Sequence, residues 1–113
     1  LANSGQAFVD SILEAPLNAV TPHTITDPDV LRRELADIRH SRVAYDLEES
    51  QPGLFCVAAP IFARSGRVVG ALSVTGATTQ SQARSFAGVV LASAHALSHA
   101  LGAPAASVDA RRD

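Results

Sequence analysis

Methionine is absent from all 113 residues, and the chain opens on Leu1. A chain without a translational start reads as a piece of a longer product, so segments upstream of Leu1 are expected. Cysteine is almost absent too. A single Cys56 cannot close an internal disulfide, which excludes the small disulfide-bonded secreted scaffolds and makes a reducing, cytoplasmic compartment the expectation. No apolar run approaches the ~20 residues that span a bilayer and no basic-then-apolar leader opens the chain, so no membrane partner is expected. Excess positive charge is missing as well. Nine Lys+Arg against eleven Asp+Glu leave a net charge of −2, with no global basic field to hold DNA or RNA.

What remains is enough for one domain. Hydrophobic residues make up 47% and charged residues 18% of the chain, a balance that folds rather than stays disordered. A helix is expected from Leu1 to Glu14, with Ala7, Phe8, Ile12 and Leu13 on one side, Asn3 or Ser4 as N-cap and Pro16 ending it. Asp27-Pro28 is the clearest helix start, a capping carboxylate followed by proline at the first helical position. On that second helix Leu31, Leu35 and Ile38 form a buried stripe, and Asp29 and Arg33 are spaced to pair on the wet side.

Val43 to Leu47 alternates as a half-buried strand, and Glu48 to Gly53 reads as a loop. Leu54 to Phe62 and Val68 to Thr75 are apolar runs flanking Ser65-Gly66, the pattern of a hairpin. A two-residue turn there pairs Arg64 with Arg67, Ala58 with Ser73 and Cys56 with Thr75. One face then carries Phe55, Val57, Ala59 and Ile61 with Val68, Gly70, Leu72 and Val74, a pure core face. The other carries Leu54, Cys56, Ala58 and Pro60 with Val69, Ala71, Ser73 and Thr75. Small and polar groups on one side leave space and supply hydrogen bonds, as a ligand pocket requires. A last helix is expected from Gln80 to Leu101, stopped by Gly102 and Pro104, with 103–113 as a disordered tail. The predicted fold class is α+β, an antiparallel sheet with flanking helices.

Several constellations invite chemistry. Cys56 with four histidines suggests a nucleophile and base, yet Cys56 lies mid-strand between Phe55 and Val57 with no Gly-rich elbow beside it, and packing is the simpler reading. His95 and His99 stand at i, i+4 but lack the intervening glutamate of the zinc hydrolases, so solvated helix surface is favoured and no metal is expected. Asp46, Glu48 and Glu49 leave a strand into a turn; the glutamates read as solvated, whereas Asp46 shares the strand parity of Ala44 and can face the hairpin hydroxyls. Asn3-Ser4-Gly5 offers backbone N–H groups at a helix start, where carboxylate or phosphate binds without a basic side chain.

The run from Leu31 to Arg39, the loop through Asp46-Leu47-Glu48-Glu49 and, above all, Gly53-Leu54-Phe55-Cys56-Val57-Ala58-Ala59-Pro60-Ile61-Phe62 followed by Gly66 to Val74 resemble the IclR family of bacterial transcription regulators. The resemblance covers Asn3 to Gly102 and corresponds to most of the family's C-terminal, GAF-like effector-binding domain. It implies an α+β sensor lacking its opening strands, spanning 1–102, with the winged helix-turn-helix that grips the operator lying outside this chain. It also implies ligand contacts at Asp46, at Leu54 and Cys56, at Ser73 and Thr75, and at backbone amides near Asn3, Ser4 and Gly5.

Two departures stand out. Gln6 occupies a position that is usually basic, and Arg42-Val43 stands where the family usually has glycine and an aromatic. Arg42 then adopts a helix-ending conformation easier for glycine, at a cost of ~1 kcal/mol. The expected function is binding a small organic effector, a carboxylic acid ranking high, that biases the geometry of a homodimer or tetramer and so operator affinity. No cofactor or catalysis is expected. The alternatives are an enzyme using Cys56 or the acidic cluster, and a pure dimerisation module.

Overall fold

The computed structural model describes residues 1–108. Its order is α1 (Gln6–Leu13), α2 (Pro28–Ser41), β1 (Ala44–Leu47), β2 (Phe55–Phe62), β3 (Val68–Ala77), α3 (Gln80–Ser85), α4 (Ala87–Ala100) and α5 (Ala105–Val108). The α+β expectation holds, as an antiparallel sheet in the order β1-β2-β3.

The first helix starts later than its sequence suggested. Gly5, not Asn3 or Ser4, is the N-cap, and no side chain caps the end. Asn3 is engaged elsewhere, by Arg42. Val9 and Leu13 bury against Ala2 and Leu35, with Leu17, Leu31 and Ile38 around them. The Asp27 carboxylate caps α2 by accepting from the Asp29 N–H at 2.8 Å, with Pro28 following as foreseen. Asp29 and Arg33 form no ion pair among the described residues. The charge contact on this surface instead joins the helices, Arg32 Nη1 to Asp10 Oδ1 at 2.8 Å.

The hairpin register is the expected one along its middle: Cys56 opposes Thr75, Ala58 opposes Ser73 and Pro60 opposes Ala71. The tip differs. The Gly66 N–H donates to the Ala63 carbonyl at 2.9 Å and the Ala63 N–H to the Arg67 carbonyl at 2.8 Å, so Arg64-Ser65-Gly66 is a three-residue loop, with Gly66 at φ 82° as such loops demand. The resulting one-residue offset is removed further along, where Phe62 pairs with Val68 but Ile61 pairs with Gly70. Val69 is the extra residue of a bulge.

Val57 and Ala59 pack with Val90 and Ala94 of α4, surrounded by Tyr45, Ile61, Leu72, Val74 and Phe86. The packed face is the one the alternation marked along Val57, Ala59, Ile61, Leu72 and Val74, while Val68, on the tip side of the bulge, and Gly70 border a cleft. Ser98 is fully buried and satisfied: its Oγ accepts from the Phe62 N–H and donates to the Ala94 carbonyl, both at 2.9 Å.

The expected single helix from Gln80 to Leu101 is two. Phe86 (φ −87°, ψ −9°) separates them and turns its ring into the sheet–α4 core. Nor is 103–108 a disordered tail. Pro104 opens a turn in which its carbonyl accepts from the Ser107 N–H at 3.0 Å, and burial of Val108 holds α5 in place. Residues 109–113 of the predicted tail lie outside the described residues.

Candidate functional site

The three strands align their side chains in rows. Asp46 pairs with Cys56 and Cys56 with Thr75; one step along, Ala44 pairs with Ala58 and Ala58 with Ser73. Paired residues share a face, so Asp46, Cys56, Ser73 and Thr75 all lie on the face turned away from the α4 core. Ser73 and Thr75 are exposed, Asp46 and Cys56 half-buried.

Asp46 is already at work. Its Oδ1 accepts from the Glu49 N–H at 2.8 Å and its Oδ2 from the Ser50 hydroxyl at 2.5 Å. The glutamates expected to be solvated also hold the loop: Glu49 Oε2 accepts from the Leu47 N–H at 2.9 Å and Glu48 Oε1 from the Gly53 N–H at 3.0 Å. Thr21 and Thr24 brace it from the other side, donating to the Glu48 and Glu49 carbonyls at 2.6 Å each. Together these bonds hold Glu48 at φ 60° and set the direction in which β1 presents Asp46. Leu54 closes the same loop, its N–H on the Gln51 carbonyl and its own carbonyl accepting from Glu48.

A cleft of about 530 Å³ lies between this face and the N-terminal helices, within the usual range for small-ligand sites. Ala44, Ala58, Pro60 and Ala71 form its sheet wall, Leu35 and Ile38 its helix wall. Of the eight residues expected at a ligand site, Asn3 lines this cleft; Ser4, Gly5, Asp46, Leu54, Cys56, Ser73 and Thr75 do not. Cys56, Ser73 and Thr75 stand on the same sheet face, next to the alanines that do. Arg42, legible in the sequence only as a costly helix end, also lines the cleft with its side chain turned inward.

Arg42 ends α2 at φ 65°, its N–H donating to the Ile38 carbonyl at 2.7 Å. It is 6% exposed. Its guanidinium lies 4.8 Å from the centre of the Phe62 ring and donates from Nη1 to Asn3 Oδ1. Arg39 Nε reaches the Ala2 carbonyl at 2.7 Å, so two arginines of α2 fasten the segment before α1. His95 and His99 line a surface groove on α4 with Gly88 and Leu91, and no three His, Cys, Asp or Glu side chains gather as a metal site among the described residues.

A family model described as the C-terminal region of the bacterial transcriptional regulator IclR matches residues 1–99. The chain belongs to the IclR family. The HTH-type transcriptional regulator XynR of Escherichia coli is 33% identical over 105 residues, which make up 89% of this chain and 42% of XynR. A putative IclR regulator from Silicibacter sp. TM1040 superposes with a TM-score of 0.83 at 35% identity, over 91% of this chain and 42% of that one. The inducer-binding domain of PobR from Acinetobacter, solved with 3-hydroxybenzoic acid, superposes with a TM-score of 0.74 over 89% of this chain and 58% of that one. Its 24% identity shows a shared fold. The chain thus spans less than half the length of XynR, and its IclR relatives are transcriptional regulators rather than enzymes. No helix among the described residues is long and apolar enough to cross a membrane.

Proposed function

We propose that this chain is the effector-sensing domain of an IclR-type regulator, spanning 1–102 of the sequence given. A small organic molecule, a carboxylic acid by preference, binds over the sheet face that carries Asp46, Cys56, Ser73 and Thr75, with Leu54 limiting its bulk and the Asn3–Gly5 backbone at one edge. The observation that carries this reading is the register. Three strands bring one carboxylate, one thiol and two hydroxyls to the face opposite the packed core, where burial does not need them. A polar row of this kind suits recognition, since each group fixes one hydrogen bond of a bound molecule.

Binding acts by population shift: an effector that prefers one arrangement of the domain moves a homodimer or tetramer toward it and so alters operator affinity. Operator DNA is held by an N-terminal helix-turn-helix outside this chain, in the cytoplasm. Two measurements test this. A thermal-shift screen of small organic acids should find a compound that raises Tm, because a ligand at 100 times its Kd adds about 2.7 kcal/mol; a flat response across the panel overturns the reading. With its net charge of −2, the chain alone should not retard operator DNA at any salt concentration, and a specific complex would show that DNA contact does not need the missing domain.

A further inference from the structure

We infer that the tip of the β2–β3 hairpin is a one-residue register switch, held in its observed setting by α5, so that docking of the segment after α4 decides which valine stands opposite Phe62 beside the cleft. The switch is a property of the hairpin and needs no bound effector. Cys56–Thr75, Ala58–Ser73 and Ile61–Gly70 keep the register that a two-residue Ser65-Gly66 turn would carry to the tip, with Phe62 opposite Val69 and Arg64 opposite Arg67. The chain instead closes a three-residue loop, pairs Phe62 with Val68 and leaves Val69 as a bulged residue, 60% exposed. One bulge is therefore the whole difference between the two settings. It lies in the cleft wall, where Val68 and Val69 stand with Gly70 and Ala71.

Local chemistry leaves the two settings close. The three-residue loop puts Gly66 in the left-handed position at φ 82° that such loops favour, but it interrupts the ladder at Val69 and exposes an apolar side chain. The two-residue turn restores the ladder, yet it asks Ser65 for a positive φ, which serine accepts less readily than asparagine or glycine. What separates them is α5. Gly66 lies so close to it that a Cβ would stand 2.7 Å from Ser107 Oγ, and Arg64 runs past Gly102, where a Cβ would meet its Cγ at 3.5 Å. Burial of Val108, 8% exposed, fixes α5 against β2 and α4. In the two-residue form Val68 stands opposite Ala63, on the face of Ala59 and Ile61 that meets α4; in the three-residue form it stands with Phe62 on the other. Val68 and α5 thus compete for the tip end of the α4 core. Two packings that differ by one step of register exchange as discrete states rather than by gradual deformation. Phe62 is 4% exposed and its ring carries the Arg42 guanidinium, so exchanging Val68 for Val69 opposite it reshapes the cleft at its Arg42 end.

The test is nuclear magnetic resonance of the full chain, perturbing each end of the switch and reading the other. The unsubstituted chain should show Overhauser contacts from Phe62 to Val68 and a protected Gly66 amide, the donor to the Ala63 carbonyl. Val108→Ser, which loosens α5, should move the Phe62 contacts toward Val69 and speed exchange of the Gly66 amide by about fivefold or more. Ser65→Asn supplies the Asn-Gly pair that favours a two-residue turn. It should give the same change at the tip and, by reciprocity, free α5, read as faster exchange of the Ser107 amide that donates to the Pro104 carbonyl. Should Val108→Ser unfold the chain, the exposed Ser65→Asn variant decides alone. Phe62–Val68 contacts that persist in the folded variants overturn the switch. A tip that changes in Ser65→Asn while the Ser107 amide keeps its rate overturns the clamp by α5; both results leave the effector-sensing reading intact.

Discussion

At the scale of single residues, Asp46 carries two tasks that pull its substitutions apart. Its carboxylate is the acceptor for the Glu49 N–H and the Ser50 hydroxyl, so Asp46→Ala removes both bonds at once and should destabilise the chain by about 1–2 kcal/mol, read as a lower midpoint in urea. Asp46→Asn keeps one oxygen for the Glu49 amide and should recover about half of that loss. Any ligand comparison using these variants must be made well below their melting temperatures. The acid was legible in the sequence through strand parity with Ala44, but its local partners were not. Alternation shows which way a side chain points, whereas the Glu49 and Ser50 bonds depend on a loop conformation with Glu48 at φ 60° that no periodicity encodes. Arg42 was legible for the same reason only in part: its place at a helix end could be read, and its inward turn onto Phe62 could not, because that contact joins residues twenty positions apart.

At the scale of elements, hydrophobic period and end signals carried most of the fold, and the misses occurred where a local device interrupted a period. The middle of the hairpin followed from alternation because a slip of one residue would expose Val57 and Ala59, both nearly fully buried. Its tip did not. A two-residue and a three-residue loop differ by one residue, and the Val69 bulge absorbs that difference before it reaches the core. Gly66 makes the longer loop possible at φ 82°, and a Cβ there would also stand 2.7 Å from Ser107 Oγ of α5. Gly66→Ala should therefore cost ~1 kcal/mol or more from backbone strain, measured by denaturant unfolding; an unchanged midpoint would mean the tip has relaxed to the two-residue form. The start of α3 carries a signal of its own. Thr79 Oγ1 accepts from the Gln82 N–H at 3.1 Å while Gln82 Oε1 reaches back to the Thr78 N–H at 2.8 Å, a reciprocal cap close to a capping box. Thr79→Ala should remove about 1 kcal/mol and, with α3 only six residues long, speed amide exchange in that helix before any other.

At the scale of the whole molecule, two apolar clusters divide the labour. The sheet and α4 form one, and the N-terminal helices form the other; the cleft lies where the second meets the sheet. Charges placed on the N-terminal helices therefore bear on how that layer sits. Asp10 is half-exposed, and its bonds from Arg32 and Gln6 hold its carboxyl below the usual aspartate range. A depressed folded-state value adds stability above the unfolded-state value and loses it as pH falls through the folded one, so this contact weakens in acid. Glu34 works in the opposite sense. Partial burial, then the nearby charges of Glu49 and Asp37, push its carboxyl above the usual glutamate range. Its proton binds the folded chain more tightly than the unfolded one, so its contribution is greatest below the unfolded-state value and fades as pH rises through the folded one. Above its folded-state value the charged carboxyl is a net cost to the fold. Glu34→Gln should consequently raise Tm at pH 7, by a margin that shrinks as the pH is lowered through the carboxylate range, whereas Asp10→Asn should lower Tm at pH 7 and converge with the unsubstituted chain in acid. Melting curves of the three chains across that range decide it: parallel curves would mean that neither carboxyl differs between the folded and unfolded states, and a Glu34→Gln gain that grows toward acid would reverse the assigned sign.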